Sequence, residues 1–173
     1  MTGDSASDTP NVVTLHAGEL LFGRGTTQVN TLLGSCIAVT LFHPTLLYAG
    51  ICHFALPFAK KQTNNTLDPR YGDDCFMLFA NHAKKYNIAI QEFDTHIIGG
   101  GNMLDRETTE SDANTVGQRN ARRALELASH YQLNVLSVDV GEFGYRKVKF
   151  NTKNGELAVS FTGSSTGNTS LSF

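Results

Sequence analysis

The run Asn30-Thr31-Leu32-Leu33-Gly34-Ser35-Cys36-Ile37-Ala38-Val39 constrains this chain more than any other stretch. A Gly-Ser turn feeds a cysteine, and an apolar run follows. Ile37, Val39 and Leu41 alternate with Ala38, Thr40 and Phe42, which reads as a mostly buried strand. Gly34 gives the turn access to backbone angles closed to other residues. Cys36 then sits where backbone N–H groups cluster, a setting suited to a nucleophile with an oxyanion site beside it. The alternative is a free cysteine acting as a small buried hydrophobe, the commoner fate. Taken alone, the stretch favours that alternative.

The rest of the chain supplies the partners. His43-Pro44 ends the first strand, because proline cannot continue a central ladder. Tyr48 to Leu56 reads as a second strand carrying His53, antiparallel to the first. Short strands are expected at Val12–Leu15 and Glu19–Phe22, with Gln28–Leu33 leading into the Cys36 strand. Others are expected at Phe93–Ile98 and, as a buried strand, Leu133–Val140. Tyr145–Phe150 and Glu156–Phe161 flank Asn154-Gly155, a strong hairpin signal. Asp73 or Asp74 is placed to cap a helix running to Tyr86, with Asn87 as its stop. Asn114 or Thr115 caps a second helix with an apolar face of Val116, Ala121, Ala124, Leu125, Ala128 and Tyr131. Lys60–Arg70 and Asp105–Ala113 read as polar loops. Strands thus dominate and two amphipathic helices pack on them, an α+β domain.

Composition excludes several classes. A net charge of −2 over 173 residues gives no basic excess for nucleic acid or an anionic membrane. No apolar run reaches spanning length. The start has neither the positive nor the apolar region of a secretory signal. Three cysteines at irregular spacing make a disulfide framework a poor reading, and a reducing cytoplasm the expected setting. Zinc ligation by Cys36, Cys52 and His53 lacks the usual ligand spacing. Gly99-Gly100-Gly101 lacks a phosphate-loop pattern and reads as a close approach of backbones. Cys52 should point opposite to His53 on its strand, and Cys75 should be structural. A thiol near an imidazole gives up its proton more readily, so Cys36 and His53 form a candidate pair.

These residues carry a resemblance. Thr31-Leu32-Leu33-Gly34-Ser35-Cys36-Ile37-Ala38-Val39 with Gly50-Ile51-Cys52-His53-Phe54-Ala55-Leu56-Pro57 resembles the CheD family of chemoreceptor glutamine deamidases. So do Arg70-Tyr71-Gly72-Asp73, Gly99-Gly100-Gly101-Asn102-Met103, Gly117-Gln118-Arg119-Asn120, Asp139-Val140-Gly141 and Arg146-Lys147-Val148. The resemblance implies a single domain over 12–161, between a disordered segment 1–11 and a flexible tail 162–173. It implies an α/β sandwich of mixed or antiparallel sheets with flanking helices, like the cysteine deamidase toxins. It implies Cys36 as nucleophile, His53 as base and acid, Thr31 completing a triad, and Gly34 and Ser35 in the oxyanion loop. No metal or cofactor is required. In a second register, with one more residue before the Leu-Gly-Ser-Cys run, Asn30 falls at the Thr31 position. The implied partners are methyl-accepting chemotaxis receptors as substrate and a CheC-type phosphatase. A competing function is a binding module that stimulates that phosphatase without catalysis.

Overall fold

The computed structural model describes residues 9–59, 65–103 and 114–164. The loop expected at Asp105–Ala113, part of that at Lys60–Arg70, and most of the two expected terminal segments lie outside the described residues. Nine strands and two helices follow in the order β1 (Asn11–Thr14), β2 (Glu19–Gly23), β3 (Thr27–Leu33), β4 (Ile37–Phe42), β5 (Ala49–Phe54), α1 (Gly72–Lys85), β6 (Asp94–Gly99), α2 (Val116–His130), β7 (Asn134–Val140), β8 (Phe143–Asn151) and β9 (Leu157–Ser164). A short 3-10 turn, Ile90–Glu92, precedes β6.

The strands form two sheets. One has the order β1-β3-β8-β9 and the other β2-β5-β4-β6-β7. Both are mixed: β1–β3 and β6–β7 are parallel, and the remaining pairs antiparallel. The two-residue period of a strand sends alternate side chains of β4 and β5 to opposite layers. Ile37, Val39, Leu41, Cys52 and Phe54 join Phe76 and Phe79 of α1 and Ala121, Ala124 and Leu127 of α2 in the main core. Ala49 and Ile51 face the other way, against Val29 and Phe150 of the four-stranded sheet, and Ala38 packs with Leu33 and Val148. Every residue of β4 and β5 is buried for this reason. The architecture is the expected α+β sandwich, with both helices on the outer face of the five-stranded sheet.

Four local expectations are corrected. Neither Asp73 nor Asp74 caps α1, whose N-cap position is Tyr71 with no side-chain cap bond. Asp74 instead accepts the Asp68 N–H at 2.8 Å, and Asp73 pairs with Arg123 at 2.7 Å, tying α1 to a loop and to α2. The strand β7 is half-exposed rather than buried, because it is the edge of its sheet and has β6 as its sole strand neighbour. Val116 is exposed, and the inward stripe of α2 is Gly117, Asn120, Ala121, Ala124, Leu127 and Ala128. Gly34 does not take a positive φ. A β-carbon there would lie 3.1 Å from Met103 Sδ, a tight contact with the far end of an exposed, flexible side chain. Thr115 does cap α2, accepting the Gln118 N–H, and Asn87 ends α1 with φ 56°.

Candidate functional site

The site forms where β3 of one sheet crosses the β4–β5 hairpin of the other. On β3, Val29 and Leu33 are fully buried against the opposite sheet, so Thr31, midway between them, faces the same way. Asn30 and Leu32 point to the outer face. Leu32 is 57% exposed, and Asn30 accepts a hydrogen bond from Gln28 Nε2. On β5, His53 alternates with Cys52 and therefore points between the sheets, while Cys52 points to the helices. His53 and Thr31 are 5% and 4% exposed.

The Thr31 hydroxyl donates its proton to the Leu15 carbonyl at 2.7 Å. Its contact with His53 Nδ1, at 2.8 Å, must then be one in which the oxygen accepts. Nδ1 carries the imidazole proton, and Nε2 is left with its lone pair. Nε2 is buried and has no partner among the described residues. Burial lowers the His53 pKa, the Leu15 carbonyl acts to raise it, nearby His16 lowers it and Glu19 raises it, and the net direction is down. The ring is a neutral base with its tautomer fixed.

Cys36 lies just before β4. Ala38 is paired with His53 and Ile37 with Phe54, the last pair of the ladder. Cys36 thus stands two residues before the position paired with His53, at the same end of the hairpin. Cys36 also packs against the cluster of Leu33, Ala38, Ile98 and Val148, in the layer that holds Thr31. Burial raises the Cys36 pKa. Burial thus favours the neutral thiol at Cys36 and the neutral imidazole at His53.

The Gly34-Ser35-Cys36 turn is held by its carbonyls. Gly34 O accepts the Gly101 N–H at 2.8 Å, Ser35 O accepts from Asn120 Nδ2 at 3.0 Å, and Cys36 O accepts the Gly100 N–H at 2.8 Å. The triple glycine is what permits this: a β-carbon at Gly99 would collide with the Cys36 carbonyl, and Gly99 and Gly100 have φ of 119° and 62°. The close backbone approach expected of that motif is present. Arg146, almost fully buried, braces the same loop by donating to the carbonyls of Gly99 and Gly141 and pairing with Asp139. Its role had no signal in the sequence beyond the resemblance.

The other two cysteines are fully buried, and Cys36 is partly exposed. Cys75 donates to the Pro69 carbonyl at 3.1 Å, and a hydrogen bond with the Cys52 thiol, with burial, holds its pKa far above the ordinary value. Brief treatment of the native protein with iodoacetamide should therefore label Cys36 first. Peptide mapping that finds Cys52 or Cys75 alkylated sooner would remove Cys36 from the centre of the site.

A thiol, a neutral imidazole oriented by a hydroxyl, and a pinned turn of backbone amides are the parts that amide hydrolysis through a thioester requires. The chain belongs to the CheD family. The model of that family, described as CheD chemotactic sensory transduction, matches residues 55–161, beginning just past β5. Similar proteins include the "Probable chemoreceptor glutamine deamidase CheD" of Pseudomonas fluorescens (strain SBW25). It is 35% identical over 147 residues, 85% of this chain and 82% of that protein. The "Probable chemoreceptor glutamine deamidase CheD 3" of Dechloromonas aromatica (strain RCB) is 34% identical over 149 residues, 86% of each. A more distant relative, from Leptospira interrogans, is 29% identical over 151 residues.

Proposed function

We propose that this protein is a chemoreceptor glutamine deamidase, a protein-glutamine glutaminase that hydrolyses glutamine side-chain amides to glutamate and ammonia. The relatives named above support the substrate class. The observation that carries the mechanism is the Thr31–His53 hydrogen bond, which leaves Nε2 as a base in the layer that holds Cys36.

In this reading Cys36 Sγ attacks the amide carbon while its proton passes to His53 Nε2. The carbonyl oxygen becomes an oxyanion held by turn N–H groups at Ser35 and Cys36. His53 then gives its proton to the departing nitrogen, ammonia leaves, and a thioester remains. Water, deprotonated by His53, attacks the thioester, and collapse returns the Cys36 thiol and releases glutamate. The atoms balance as amide plus water giving acid plus ammonia, and no metal or cofactor takes part.

A protein-sized substrate suits the rim. Met103 lies over Gly34, and Leu56 and Phe58 follow the end of β5; all three are exposed apolar side chains. An amphipathic receptor helix offers a matching face. A CheC-type phosphatase, the second partner that the resemblance implies, would meet the same rim. The proposed location is the cytoplasm, which three free thiols suit. No described helix is long and apolar enough to cross a membrane.

The test incubates the purified protein with the cytoplasmic part of a chemoreceptor, measuring ammonia release and the Gln-to-Glu mass change by peptide mapping. Catalysis needs His53 neutral, and its pKa is lowered. Protonation stops the base, so kcat/KM should fall as pH falls. Because the folded pKa lies below the ordinary value of about 6.5, that fall should begin below about pH 6.5. No ammonia at any pH would refute the function. A rising limb centred above pH 7 would refute the neutral-imidazole step.

A further inference from the structure

We propose that Asn120 is a positioning residue that aims the oxyanion turn and locks it to the strand that carries the base. The proposal rests on the Cys36–His53 reading above. Asn120 is one helical turn beyond Gly117 on the inward stripe of α2. A β-carbon at Gly117 would collide with the Gly101 carbonyl, so the helix start is pressed onto the glycine loop, and Asn120 is carried under the turn. Its side chain is fully buried. The Nδ2 group donates one proton to Ser35 O at 3.0 Å and the other to Ala55 O at 2.9 Å. Both partners are carbonyls, so the amide nitrogen must face them.

Those two carbonyls are chosen places. Ser35 immediately precedes Cys36, and Ala55 comes two residues after His53. One amide therefore ties the strand end bearing the nucleophile to the strand end bearing the base. The peptide group is planar and trans, with its C=O and N–H pointing in opposite directions. Fixing Ser35 O toward Asn120 thus drives the Cys36 N–H away from Asn120 and holds it there. Gly101 fixes the Gly34 carbonyl in the same manner, which aims the Ser35 N–H. A preorganised donor needs such anchoring, because a turn free to rotate would have to reorganise as the oxyanion forms.

A second observation bears on the choice of residue. Asn120 Oδ1 is buried and has no partner among the described residues. An apolar side chain here would deprive the Ser35 and Ala55 carbonyls of this donor, so the position keeps an amide in spite of its unpaired oxygen. A hydroxyl could not replace it, having one proton where two carbonyls need two.

The experiment compares wild type, Asn120→Ala, Asn120→Ser and Cys36→Ala on one receptor fragment, with two readouts. The first is kcat and KM for deamidation. The second is the rate of Cys36 alkylation by iodoacetamide, a substitution at carbon that builds no oxyanion. Thermal melts check folding. Asn120→Ala should lower kcat on the order of a hundredfold, the cost of losing one oxyanion donor, and leave KM and the alkylation rate unchanged. Asn120→Ser should fall in between. A kcat close to wild type overturns the proposal. So does a parallel fall of kcat and alkylation, which would mean a general distortion of the thiol. If neither Asn120 variant folds, the residue is structural and the proposal is overturned. Deamidation by Cys36→Ala would instead sink the underlying reading, whatever Asn120 does.

Discussion

Replacing Cys36 by alanine is expected to abolish deamidation, lowering turnover on the order of 10⁴- to 10⁶-fold, the range seen when a covalent nucleophile is removed from a catalytic set. No neighbouring group is placed to substitute. Cys52 and Cys75 are buried in the main core, and Ser35 holds its place through its carbonyl bond to Asn120. The fold should survive, because the residue is partly exposed, it stands at the head of β4, and only its sulfur is lost. A melting temperature close to wild type, with no ammonia released and no mass change in receptor peptides, is the expected pair of results. His53→Gln should be nearly as severe, since a neutral amide cannot take the sulfur proton. Conversion of receptor glutamine by Cys36→Ala at the wild-type rate would refute the thioester mechanism.

Much of the frame was legible because it depends on local patterns. The alternation through Ile37–Phe42, the proline after it and the second apolar run specify the hairpin, and its observed pairing of Ala38 with His53 follows. The three glycines announce a close backbone approach because no other residue tolerates one. What was not legible depends on layers that a single strand does not reveal. A burial run reads alike in a central strand and an edge strand, so β7 looked buried when only its position in the sheet decided the matter. The helix stripe was phased from Val116 when its true phase is Gly117, Asn120, Ala121 and Ala124. The signal was present, since an asparagine inside an otherwise small and apolar stripe asks for partners on the core side. The choice between Thr31 and Asn30 could not be made from alternation alone, which states that neighbours face apart without saying which faces in. The packing of Val29 and Leu33 supplies the phase.

That phase carries the last expectation. Thr31→Val, which keeps the shape and removes the hydroxyl, should lower kcat on the order of 10²- to 10⁴-fold, as loss of a group that orients a catalytic histidine does. The hydroxyl performs two tasks at one atom: it spends its proton on the Leu15 carbonyl and accepts the Nδ1 proton of His53. Without it, the hydroxyl acceptor at Nδ1 is lost, and the tautomer with Nε2 free is held less firmly. The variant also removes the hydroxyl donor of the Leu15 carbonyl, which costs on the order of 1 kcal/mol of stability. A denaturant titration measures that loss and shows whether the protein remains folded under assay conditions. Thr31→Ser retains the donor and acceptor and should recover most of the activity, a rescue that a purely packing role would not produce. Asn30→Ala should turn over at close to the wild-type rate, because Asn30 points to the outer face and bonds to Gln28. Imidazole nitrogen NMR supplies the direct readout, with one Nδ1-protonated tautomer expected in wild type and a mixture in Thr31→Val. A crippled Asn30→Ala beside a healthy Thr31→Val would overturn the assignment and move the third member of the triad to Asn30.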